Sequence, residues 1–144
     1  MSTTYVVACD GSEASGRAVR FAIDRAKVSG ASLVLAHVLE WSPYTFLTPD
    51  ELEERHKRRN EELQRAQSAL IDPLVESVTA EGVEARAVIR YGHVAETLVS
   101  IAEEEGSAQI FIGRAGQSNL RNLVFGSVAA SLAQIAPVPC TIVP

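Results

Sequence analysis

AQIFIGRAGQSNLRNLVFGS, residues 108–127, joins a short apolar run to a glycine-punctuated segment that closes on Gly126-Ser127. Residues 108–112 read as a buried strand. Gly113 follows, where the backbone must turn, and the missing side chain of Gly116 lets main-chain amides approach an anion. Gly126-Ser127 then opens a helix over roughly residues 127–136. Helix N-termini offer unpaired amides and a partial positive charge, both favourable to phosphate. Ser127 adds a hydroxyl, and Arg114 and Arg121 add positive charge. Two readings stand on these residues: a phosphate cradle, or a connecting loop whose serine caps the next helix. It is neither the Gly-Lys-Ser/Thr pattern nor a dinucleotide GxGxxG fingerprint, since neither occurs here.

Outward from this stretch the chain alternates strands and helices. Residues 4–9, TYVVAC, form a first strand stopped by Asp10-Gly11-Ser12. Ser12 is placed to cap a helix in which Ala14, Ala18, Phe21, Ala22 and Ala26 recur at helical spacing, ended by Gly30. SLVLAHVL, residues 32–39, is a near-continuous apolar strand, followed by a polar-aromatic loop. Thr48-Pro49 opens a charged helix that runs toward Asp72-Pro73, where Pro73 either kinks it or starts a new helix capped by Asp72. Its mixed charges over residues 50–62 read as a solvated face. VEARAVIR, residues 83–90, alternates as a half-exposed edge strand. Gly92 turns the chain into a helix from about residue 93 to 105, and Pro137 and Pro139 lead into the last strand, CTIV.

The order β-α-β-α-β-α-β-loop-α-β predicts an α/β fold: a three-layer, doubly wound, five-stranded parallel sheet in one domain over residues 1–144. Two strand orders satisfy right-handed crossovers, 3-2-1-4-5 and 2-1-3-4-5. Ligands in such sheets bind beyond the carboxyl ends of the strands, where the order reverses. The Asp10-Gly11-Ser12 turn and the glycine segment meet only if the first and fourth strands are neighbours, which selects 3-2-1-4-5. That order also puts residues 83–90 at an edge. It separates Cys9 from Cys140 by a whole strand, about 9–10 Å, too far for a disulfide.

The chain of 144 residues has net charge −5, with 47% apolar and 22% charged residues. Such a balance gives no basic field for nucleic acid or an anionic membrane. No apolar run approaches the ~20 residues of a membrane span, and MSTTYVVACDG lacks a secretion signal's basic start and cleavage site. A cytoplasmic protein is the expectation. Both cysteines lie in apolar runs and read as small buried hydrophobes. His37, at the end of a buried strand, reads as a hydrogen-bonded core histidine ahead of a catalytic base; His56 reads as solvated and His93 as structural. Asp10 is either an acceptor for a ligand hydroxyl or the start of a capping turn. Trp41, Tyr44 and Phe46 are placed either to lid a pocket or to pack a dimer surface.

The spacing Gly113-x2-Gly116-x9-Gly126-Ser127 resembles the nucleotide-binding signature of the universal stress protein family, in its ATP-binding subgroup. Asp10-Gly11-Ser12-Glu13, Ala36-His37-Val38 and Pro137-Val138-Pro139-Cys140 resemble that family's first turn, second strand and last-strand entry. The likeness covers essentially the whole chain. It implies a Rossmann-like fold of the adenine-nucleotide alpha-hydrolase type, and a homodimer through the last strand, here Thr141, Ile142 and Val143. It implies ATP, or AMP or ADP, as ligand. Asp10 would meet the ribose or adenine side, with Ala8 and Cys9 lining the site and Val38 packing on adenine. Gly113, Gly116, Gly126, Ser127 and Val128 would meet phosphate and ribose. The family often has a basic residue or histidine where Ala115 stands; here the basic residue is Arg114, one place earlier, which points to a weaker phosphate grip or a preference for AMP or ADP.

The functional expectation is a nucleotide-binding sensor of stress or energy state that acts on a regulatory protein partner. Magnesium would arrive with ATP, held mainly by phosphate oxygens and by Asp10 or Ser127. No lysine accompanies the glycine segment, so at most slow hydrolysis is expected. The two alternatives are a weak ATPase or nucleotide-dependent enzyme on the same site, and a non-binding dimer that works through protein contacts.

Overall fold

The computed structural model describes residues 3–40, 48–114 and 127–144. Five strands, β1 (Thr4–Ala8), β2 (Ser32–Glu40), β3 (Ala85–Gly92), β4 (Gln109–Gly113) and β5 (Cys140–Val143), form one parallel sheet. Its order is β3-β2-β1-β4-β5, the order that the two special turns select. The central register pairs Val6 with Val34 on one side and with Ile110 on the other. The alternating strand β3 is an edge, and β5 is the other edge.

Successive side chains of a strand point to opposite faces, and here both faces are covered. Val7, Leu33, Leu35 and Phe111 pack toward α1 (Glu13–Ser29) and α3 (Asp72–Ala80). Val6, Val34, Ala36 and Ile110 pack toward α4 (Val94–Glu104) and α5 (Ser127–Ile135). Leu33, Leu35 and Ile110 are wholly buried, each worth about 1.5–3 kcal/mol of removed apolar surface. This is why the strands read as apolar runs rather than as alternations.

Local signals set the helix ends. Ser12 caps α1 by accepting from the Ser15 N–H, and Gly30 ends it in the left-handed region at φ 77°, donating to Ala26 O. Between β2 and α3 lies α2 (Pro49–Arg65), opened by a capping box in which Thr48 and Glu51 satisfy each other's backbone amides.

The expected break at Asp72-Pro73 takes a different form. Residues Ala66–Ile71 form a π-helical turn, and the chain passes into α3 with Asp72 still helical at φ −59°, ψ −47°. No side-chain cap forms there; the Asp72 N–H donates to Gln67 O instead. Pro73 supplies the local part of the reason. A proline in a helix removes an amide and crowds the carbonyl four residues back, and the wider π turn shifts the hydrogen-bond register just ahead of Pro73. Strand β3 also starts later than its alternation suggests, at Ala85, with Val83 buried ahead of the ladder. No helix among the described residues is long and apolar enough to cross a membrane.

Candidate functional site

The carboxyl ends of β1 and β4 lie side by side where the strand order reverses. After Ala8 the chain leaves β1 through Cys9 and turns at Gly11, whose φ of 82° suits a residue without a Cβ. Asp10 holds this turn. Its Oδ1 accepts from the Ser12 N–H at 2.9 Å and from the Ser12 hydroxyl at 2.5 Å. Ser12 Oγ in turn accepts from the Ser15 N–H at 3.1 Å, and the Asp10 N–H donates to Ser15 Oγ at 3.3 Å. Asp10 therefore performs the turn-capping role, and it does so at the rim of a cavity.

That cavity has a volume of about 670 Å³, within the usual range of about 300–1,000 Å³ for small-molecule sites. Of the ten sequence-derived site residues, eight are described: Ala8, Cys9, Asp10, Val38, Gly113, Arg114, Ser127 and Val128. All eight line this cavity. They come from four separate stretches of chain. Gly116 and Gly126 lie outside the described residues, as do Ala115, Arg121, Trp41, Tyr44 and Phe46.

Gly113 is explained differently from the turn expected of it. It is the last residue of β4, paired with Val143, and not a tight bend. A Cβ added there would meet the backbone C and O and the Cβ of Ala14, each at 2.9 Å. The absent side chain lets the first turn of α1 press directly on the end of β4. Arg114, next along, is exposed and donates its N–H to Val143 O at 2.8 Å.

His37 is hydrogen-bonded, but it lies partly buried in the cavity wall and not in the core position read from the sequence. Its Nδ1 is 2.5 Å from Cys9 O, and a carbonyl only accepts, so Nδ1 carries the proton. Cys9 is buried and its thiol is pushed up to about 12, mainly by burial and secondarily by the charge of Asp10. Cys140 is only partly buried, contrary to the expectation of a core position, because β5 is an edge; both thiols are free.

One backbone feature comes from the ladder. In parallel strands a residue's N–H and C=O point to the same side, alternating along the chain. Ala36 O accepts from the Cys9 N–H, so Val38, two residues on, also turns its backbone groups toward the β1 side. There β1 has already ended, and Val38 faces the cavity.

Sequence reasoning missed part of the wall. Leu70 and Ala66, from the π turn, and Leu98 and Ile112 supply apolar surface, and Glu40 supplies a second carboxylate. Ile112, just before Gly113, was the accessible one. Ala66 and Leu70 carry no local signal, since their arrival depends on the path of the helix around Pro73.

The sequence model described as the universal stress protein family matches residues 1–144. The chain is 29% identical to universal stress protein YxiE of Bacillus subtilis (strain 168), with 99% of each chain covered. Among solved structures it is similar to the universal stress protein UspA from Lactobacillus plantarum, with a TM-score of 0.85, 22% identity, and coverage of 99% and 97% of the two chains. It is also similar to the universal stress protein from Archaeoglobus fulgidus in complex with dAMP, with a TM-score of 0.67, 22% identity, and coverage of 100% and 98%.

Proposed function

The chain belongs to the universal stress protein family, and from that premise we propose that it binds an adenine nucleotide in the cavity between the ends of β1 and β4. As a sensor of stress or energy state, it passes the occupancy of that cavity to a regulatory protein partner. The observation that carries this reading is the convergence of Ala8, Cys9, Asp10, Val38, Gly113, Arg114, Ser127 and Val128 on one cavity of nucleotide-sized volume. The dAMP bound by the Archaeoglobus fulgidus relative supports the ligand class.

The chemistry of the wall supports an orientation. Val38 and Leu98, from one face of the sheet, and Leu70, from the other, supply apolar surface that suits a purine. The backbone N–H and C=O of Val38 match the acceptor and donor on an adenine edge. Asp10 suits a ribose hydroxyl. Ser127, as the first residue of α5, and Arg114 suit phosphate. Asp10 and Ser127 also supply oxygen ligands for a magnesium ion arriving on ATP, in keeping with that cation's preference for oxygen donors. With Asp10 and Glu40 against Arg114 among the described wall residues, a nucleoside monophosphate is the expected preference over ATP. The edge strand β5, with Thr141 and Ile142 partly buried and Val143 buried at its end, is the proposed homodimer edge.

Calorimetric titration with AMP and ATP at matched magnesium tests the reading. Absence of binding at millimolar nucleotide sinks it. Asp10→Asn keeps an oxygen acceptor for Ser12 while removing the charge, so it is expected to weaken binding by about 10- to 100-fold with little change in thermal stability. Steady nucleotide turnover that Asp10→Asn abolishes would instead mark an enzyme.

A further inference from the structure

Helix α2 is the least embedded helix of the described chain. None of its 17 residues is buried, and only Arg55, Arg59 and Leu63, one helical turn apart, are half-buried. A second cavity of about 390 Å³ lies against it, lined by Arg55, Arg58, Arg59, Glu62, Glu40 and Tyr91 among others. Charged side chains, not packed apolar ones, separate α2 from the sheet. Tyr91 of β3 ties to α2: the hydroxyl donates to Arg59 O at 2.7 Å, with Glu62 Oε2 at 3.4 Å, while the Arg59 guanidinium lies 5.1 Å over the ring.

At its other end α2 runs without a break into the π turn Ala66–Ile71 and then into α3. There the anchoring changes abruptly, because Ile71 and Val78 are wholly buried. The π turn thus sits between a loosely held helix and a fixed one. It is also part of the nucleotide cavity, through Ala66 and Leu70. A π turn holds one residue more than an α turn, so relaxing it to α geometry rotates the preceding helix by about 100° relative to the succeeding one.

We propose that this π turn couples occupancy of the nucleotide cavity to the placement of α2. The inference rests on the nucleotide reading above. A base packed against Ala66 and Leu70 gains those contacts only while the π-turned arrangement holds, so binding favours that arrangement. Helix α2, with no buried side chain to hold it elsewhere, is tightened onto β3 in consequence. The coupling is reciprocal: whatever loosens α2 weakens nucleotide binding.

Hydrogen exchange read by mass spectrometry on the full chain tests this, with AMP or ATP at a level shown to be saturating by calorimetry. Peptides within residues 49–71 are expected to exchange at least about threefold more slowly with nucleotide than without. Tyr91→Phe keeps the ring and removes the bond to Arg59 O. It is expected to speed exchange over residues 49–65 and to weaken nucleotide binding by about two- to fivefold. Binding that protects residues 8–12 and 127–132 while residues 49–71 exchange unchanged overturns the coupling and leaves the nucleotide reading standing. So does a Tyr91→Phe chain with faster α2 exchange and undiminished affinity. No binding of either nucleotide overturns both.

Discussion

Replacing Gly113 with alanine tests the contact that brings the two halves of the site together. The new Cβ would meet three atoms of Ala14 at 2.9 Å, two of them backbone, against an optimal carbon separation of about 3.5–4.0 Å. Ala14 is itself buried, so the strain falls on the first turn of α1 rather than on a side chain free to swing away. Overpacking of this kind costs about 1–3 kcal/mol, and the stiffer unfolded chain returns about 0.4–1 kcal/mol. The net loss is on the order of 1–2 kcal/mol. At about 2–4 °C per kcal/mol for a chain of this size, Tm falls by roughly 2–8 °C. Gly16→Ala is the matched control: it lies within α1 with nothing within 4 Å of its added Cβ, and helix propensity alone predicts a gain of about 0.5–1 kcal/mol. Thermal unfolding followed by circular dichroism reads both. An unchanged or raised Tm for Gly113→Ala refutes the close approach of α1 to β4 as the reason for this glycine.

Three further outcomes rest on particular contacts. Ser12→Ala removes the α1 cap and the hydroxyl held by Asp10, and is expected to cost about 0.5–2 kcal/mol in chemical denaturation; no shift in midpoint would deny the cap its role. Hydrogen bonds from Arg20 and then Lys27 hold the Glu81 carboxyl down at about 2. The folded value lies below the ordinary one, so its stabilisation is present above about pH 4.5 and is lost as pH falls through about 2; Glu81→Gln should flatten stability over that window, most clearly at low salt. At pH 8 a thiol reagent should label Cys140 slowly and Cys9 hardly at all, since burial raises both thiols and carries Cys9 to about 12; equal labelling rates in the folded protein would contradict the buried position of Cys9.

The strand order was legible because two turns of special composition, Asp10-Gly11-Ser12 and the segment after Ile112, had to face one another. The caps at Ser12 and Gly30 were legible because each acts within one helical turn. The purpose of Gly113 was not, since it is set by Ala14, far away in sequence and adjacent in space. The π turn was hidden for a related reason. Pro73 announces a disturbance, but whether the helix breaks, kinks or widens depends on what the sheet offers Ile71 and Val78 to pack against. Of the residues lining the cavity, those at strand ends were readable from position in the βα order. Leu70 and Leu98 look like any other core leucines until the helices are docked.

The pairing of Tyr5 with Gln109 has a consequence for how the protein is made. The two walls of the cavity lie on strands joined across roughly a hundred residues of intervening chain, a topology that folds slowly for its size. A ribosome-bound chain that has released β1, β2 and β3 still has no cavity, because β4 and α5 have not been delivered. The cavity therefore takes shape only once β4 and α5 have joined strands made much earlier.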